Sequence, residues 1–170
     1  MTRAADLAKL IAGSSTLGGT GELVLKDVDT ADGSSPKITF QTGDTDIAAD
    51  DVLGTIDFQA PDEGTGTDAI LVSAGVEAKA EGDFSSSSNA TSLVFKTGSS
   101  EAATEKVRLT SAGRLGVGSS SPTVNLDVTA SGNTFILVKD SSSGSGIYLK
   151  AASDGAAEMQ TAGGNNTLGF

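Results

Sequence analysis

The sequence predicts an all-β chain of short-strand modules, preceded by one short N-terminal α-helix. Three observations carry that reading. From Glu22 onward, apolar residues alternate with polar ones at a period of two. Nearly every alternating segment is short and bounded by Gly, Ser, Asn, Asp or Pro. Part of the pattern also recurs further along the chain.

The helix comes first. In TRAADLAKLIAG (2–13), Ala4, Leu7, Ala8 and Ile11 fall at i, i+3, i+4 and i+7, with Leu10 beside that stripe. Thr2 suits the N-cap, and Lys9 and Gly13 suit the C-terminal end. A helix over residues 1–12 is too short to persist alone in water, so its stripe needs a surface to lie on. GSSTLGGTG (13–21) reads as a flexible tether.

The strands follow. ELVLKD places Leu23 and Leu25 on one side, and PKITFQTG places Ile38 and Phe40 opposite Lys37, Thr39 and Gln41. GTIDFQAP repeats the pattern with Ile56 and Phe58. AILVSAGVEAKAEGDF contributes Ile70, Val72, Val76, Ala78 and Ala80, with a phase slip near Gly75 that predicts a bulge. SLVFKTG, EKVRLTS and GRLGVG add Leu93, Phe95, Val107, Leu109, Leu115 and Val117.

The repeat sets the organisation. LVLKDVDTADGSSPKITFQTGD (23–44) is similar to ILVKDSSSGSGIYLKAASDG (136–155), and NATSLVFKTG (89–98) to NNTLGF (165–170). The expected layout is a first β module over 22–118, a joint over 119–133 and a second module over 134–170, with Gly118 to Pro122 as the turn after which Leu126 and Val128 begin the next module. That second module stops where the first runs on into EKVRLTSAGRLGVG, so the natural polypeptide is expected to continue beyond Phe170.

Composition bears on how such modules hold together. Gly, Ser and Ala number 22 each and Thr 19, half of the 170 residues, whereas Leu, Ile, Val and Phe together make 22%. So little apolar volume sits poorly against a backbone ordering cost of roughly 1–2 kcal/mol per residue. Because the apolar residues are patterned, the expectation is a core completed by other chains. The net charge of −11 opposes a nucleic-acid or anionic-membrane partner. Zero His and zero Cys remove Ser-His-Asp and Cys-His catalysis and His/Cys zinc sites.

Each remaining chemical motif has a plainer explanation. SAGRLGVGSSSPTVNLDV (111–128) carries glycines as G-x-x-G-x-G, yet no Gly-Lys-Ser/Thr and no helix follow to seat a phosphate. The spacing instead suits a strand, a turn and another strand. DVDTADG (27–33) offers Asp27 and Asp29, but Ala31 stands where a calcium loop needs oxygen, and Ile38 where it needs Glu. Asp44, Asp46, Asp50 and Asp51 fit a solvated turn. Acidic pairs for glycoside hydrolysis lack aromatics nearby to hold a sugar. No enzyme activity, cofactor or metal is assigned.

With these residues laid out, the chain resembles the tail fibre proteins of bacteriophages, those of marine and cyanobacterial phages in particular. MTRAADLAKLI is similar to the short helix that begins many such fibres. GTIDFQAPDEGTGTDAILVSAGVEAKAEGDF, TSLVFKTG and ATEKVRLTSAGRLGVG resemble a widespread fibre module ending in a Glu-x-x-Arg-Leu-like strand, and GRLGVGSSSPTVNLDV a segment joining two modules. The resemblance implies an elongated homotrimer, a structural virion protein of the tail made in the host cytoplasm, whose distal tip recognises the host. On that reading Arg3, Leu7, Lys9, Leu10 and Ile11 dock on a tail or adaptor protein. Leu23, Leu25, Ile38, Phe40, Ile56, Phe58, Val107, Leu109, Leu115 and Val117 fill the shared trimer core. A capsid decoration or head-fibre protein is the alternative.

Overall fold

The computed structural model describes residues 26, 32–33, 35–60, 67–142, 146–153, 155 and 157–162. The predicted helix, the tether, the docking residues Arg3, Leu7, Lys9, Leu10 and Ile11, the core residues Leu23 and Leu25, and Asp27 and Asp29 lie outside them. The chain divides into two compact units, Met1–Thr39 and Phe40–Phe170. Every described strand belongs to the second, and the described structure is all-β.

Six strands form the first sheet in sequence order: β1 (Val52–Gln59), β2 (Val72–Ala80), β3 (Thr91–Thr97), β4 (Thr104–Leu109), β5 (Leu115–Val117) and β6 (Leu126–Val128). The first five make an antiparallel meander, and β6 pairs with β5 in parallel. Alternation with β-branched and aromatic residues suits a pleated sheet with two unlike faces. Leu126 and Val128, expected to open the second module, instead close the edge of the first sheet, opposite Leu115 and Val117.

The glycines of GRLGVG make that turn of the chain. Gly113 takes φ +74° in the tight turn where Thr110 N donates to Arg114 O and Gly113 N to Thr110 O, both at 2.9 Å. Gly118 takes φ +74° as well, and a Cβ there would lie 2.1 Å from Thr129 O. The chain thus reverses behind β5 and returns as β6 along a connection shorter than parallel pairs usually need.

Two expectations shift. The slip expected near Gly75 falls at Ser73: Ala74 pairs with Phe58 and Val72 with Gln59, whereas the β2–β3 ladder runs unbroken through Gly75. Residues 36–43 (PKITFQTG), expected to hold a strand, join no ladder among the described residues. A strand needs a neighbour for its backbone groups, and Phe40 is placed over Gly54 of β1 instead of beside it. A Cβ built on Gly54 would meet the Phe40 Cβ at 2.6 Å.

A second, three-stranded antiparallel meander follows, with β7 (Thr134–Lys139), β8 (Gly146–Ala151) and β9 (Ala157–Ala162). Its register lines Ile136 and Val138 with Leu149 and Ile147, and Leu149 with Met159.

Candidate functional site

Register turns alternation into two continuous rows on one face of the first sheet. One row runs Ala78, Leu93, Leu109, Leu115, Leu126; the other runs Ile56, Val76, Phe95, Val107, Val117, Val128. Phe58 adds to this face opposite Ala74. Six strands spaced about 4.8 Å apart make a stripe of about 24 Å, only two alternate positions, about 7 Å, across. Of the predicted core residues, Ile56, Phe58, Val107, Leu109, Leu115 and Val117 are brought together here, and Phe40 sits against the same face at Gly54. Ile38 is exposed and joins no ladder.

This apolar face is open. Ile56, Phe58, Leu93, Phe95, Leu109, Leu115, Val117 and Leu126 are between 36% and 57% exposed. A contiguous apolar surface of this kind on a folded chain marks an interaction site.

The opposite face is the covered one. Val94 and Ser92 are fully buried and Arg108 is 8% exposed. Arg108 forms a two-pronged pair with Glu105, Nε to Oε1 and Nη2 to Oε2, both at 2.7 Å, and its Nη1 donates to Ser92 Oγ at 3.2 Å. Ser92 Oγ donates to Glu81 Oε1 at 2.6 Å, and Ser111 N donates to the same carboxylate at 2.7 Å. Lys96 pairs with Glu77 at 2.6 Å and Lys79 with Asp50 at 2.9 Å.

The 119–125 connection lies over part of this face. Pro122 is buried and its carbonyl accepts from Arg114 Nη1 at 3.2 Å. A side chain at Gly116 would strike Ser119 O at 2.2 Å, so glycine is what lets the connection press against β5.

The ionisation of this network follows from its partners. The hydrogen bonds of the Glu105 carboxylate raise the Arg108 pKa, against an opposing effect of burial. Burial pushes Glu81 up, but hydrogen bonds from Ser111 and Ser92 outweigh it and hold the carboxyl below its usual range. The hydrogen bond and charge of Lys79 lower Asp50.

A polar hollow of about 720 Å³ borders this network. Of the three cations that line it, Lys79 and Arg108 are paired with Asp50 and Glu105, and Arg114 donates through Nη1 to the Pro122 carbonyl. In the 44–51 turn, Asp44 Oδ1 accepts from Asp46 N and Asp51 Oδ2 from Ala48 N. Among the described residues no three His, Cys, Asp or Glu side chains are grouped to hold a metal. No described helix is long and apolar enough to cross a membrane.

The polar network was missed by alternation alone. Glu105 and Arg108 are three apart, which in a regular strand puts them on opposite faces. A register shift in the β3–β4 ladder, from Phe95–Val107 to Lys96–Glu105, takes Lys106 out of phase and returns Glu105 to the face of Arg108. The signal in the sequence is the Glu-x-x-Arg spacing inside a strand pattern.

No protein-family model and no curated protein matches this chain. Among solved structures it is similar to the carboxy-terminal domain of the bacteriophage T5 L-shaped tail fibre, at 13% identity over 82% of this chain and 81% of that one, with a TM-score of 0.44. A likeness that weak assigns neither fold nor function.

Proposed function

We propose that this chain is a structural, non-catalytic segment of a trimeric bacteriophage tail fibre, in which three copies turn their apolar faces toward a shared axis. The observation that carries the reading is the inversion of the first sheet. Ser92 and Arg108 are buried and hydrogen-bonded on one face, while Leu93, Phe95, Leu109, Leu115 and Leu126 on the other stand open. Burying apolar surface contributes about 25 cal/mol per Å², and one copy leaves a sizeable part of that contribution unused. The resemblance of the GTIDFQAP to GRLGVG block to fibre modules supplies the class and the threefold count.

On the same reading the fibre axis runs along the rows, across the strands. Small residues let copies approach closely, and the net charge of −11 stays outside, where it favours solubility. The N-terminal segment anchors the fibre, with Leu7, Leu10 and Ile11 packing on a tail component and Arg3 and Lys9 meeting its acidic groups. Removing residues 1–12 is expected to leave the solution mass of the assembly unchanged while abolishing its presence on particles. Immunogold labelling in electron micrographs is expected on tails. Label on the capsid, or truncated chains still incorporated, contradicts the assignment.

A further inference from the structure

We infer that residues 38–41 form a strand donated to the open edge of β1 in a neighbouring copy. The inference rests on the multi-copy reading above and adds to it which segment crosses between copies.

The internal repeat supplies the register. Ile38-Thr39-Phe40-Gln41 corresponds to Ile147-Tyr148-Leu149-Lys150, each following a Lys-Asp and a polar turn. The correspondence extends further: Gly54-Thr55-Ile56-Asp57-Phe58-Gln59 matches Gly155-Ala156-Ala157-Glu158-Met159-Gln160 in its glycine, acid, apolar residue and glutamine. In the second sheet these two segments are neighbours, with Leu149 opposite Met159 and Lys150 opposite Glu158. The same register in the first module sets Phe40 opposite Phe58 and Gln41 opposite Asp57. Phe40 then joins Phe58 on the apolar face, so the parity of both strands is preserved.

Within one copy that register is not made. Phe40 lies at Gly54, four positions from Phe58, about 13 Å along a strand. The intervening residues are pinned elsewhere. Phe84 N donates to Ile47 O at 2.9 Å, Ala80 N to Asp51 O at 2.8 Å and Asp50 N to Ala80 O at 2.9 Å, while Lys79 holds the Asp50 carboxylate. The connection between β8 and β9 is much shorter, residues 152–156.

So the segment with the matching pattern is held out of register with its own edge. Meanwhile β1 pairs only with β2 among the described residues. An edge strand of this length invites a partner, and a copy's 38–41 segment has the complementary pattern.

The chain has no cysteine, so the test is direct. In a Gln41→Cys/Asp57→Cys variant, mild oxidation is expected to give bands of two and three chain masses on a non-reducing denaturing gel. Mixed assemblies of the two single variants are expected to give the two-chain band. A band of one chain mass with its thiols consumed overturns the donation, because the strand then folds onto its own edge. Free thiols in an assembly of three-chain mass overturn it while leaving the shared face standing, whereas a one-chain solution mass overturns both. In the unsubstituted protein, whichever of the amides of residues 40 and 41 turns toward β1 is expected to be protected from hydrogen exchange, and fast exchange at both contradicts the ladder whether or not the variants fold.

Discussion

Phe95→Asp is expected to convert the assembly into single chains. Phe95 sits in the middle of the sheet, between Val76 and Val107, and is 42% exposed in one copy. If one copy were the finished molecule, a carboxylate there would reach water and cost about 1–2 kcal/mol, the range of an ordinary substitution. In a shared core, carboxylates from neighbouring copies meet in an apolar interior. Each then costs several kcal/mol through lost hydration, and like charges add repulsion. Light scattering at fixed concentration reads the outcome. The expected result is one chain mass for Phe95→Asp and an unchanged mass for Phe95→Leu. An assembly that stays intact with the Phe95→Asp substitution contradicts the shared core at this position.

The second large effect is on the other face. Arg108→Ala removes the partner of Glu105 and the donor to Ser92 in a region where the Arg108 side chain is 10% exposed and that of Glu105 24%. Breaking a buried pair from one side leaves a charge uncompensated, so a loss of about 3 kcal/mol is expected, read as a shift of the urea midpoint at fixed concentration. Arg108→Met with Glu105→Leu is expected to recover much of it, because no lone charge remains. A loss below about 1 kcal/mol for Arg108→Ala contradicts the view that this network holds the covered face together.

Alternation located most of the sheet because period two is a local signal: Ile56, Phe58, Val107, Leu109, Leu115 and Val117 were legible one strand at a time. What alternation cannot show is which face is covered. Apolar residues ordinarily mark the inside of a chain, yet here Val94 and Ser92 are buried on the polar face, while on the apolar face Ala80 is buried and Leu93, Phe95, Leu109, Leu115 and Leu126 are open. That follows from the loops that fold over Arg108 and Gly116, and loop placement is not periodic. The Glu105–Arg108 pair was hidden for a related reason, since it exists only because a bulge breaks the period. The Ser-Ser-Ser-Pro turn reads as a boundary, which places Leu126 and Val128 in the next module. Gly118 and the close approach at Gly116 instead return the chain to the sheet it has just left. The strand expected in PKITFQTG (36–43) has the right pattern, and what it lacks in one copy is an edge in register.

The central claim is that the core of this protein is shared among copies. The most direct measurement is the molar mass of the purified chain in solution, by light scattering or sedimentation equilibrium. The account predicts three times the 16.8 kDa chain mass, independent of concentration over the micromolar range. A folded, β-rich species of one chain mass would contradict it.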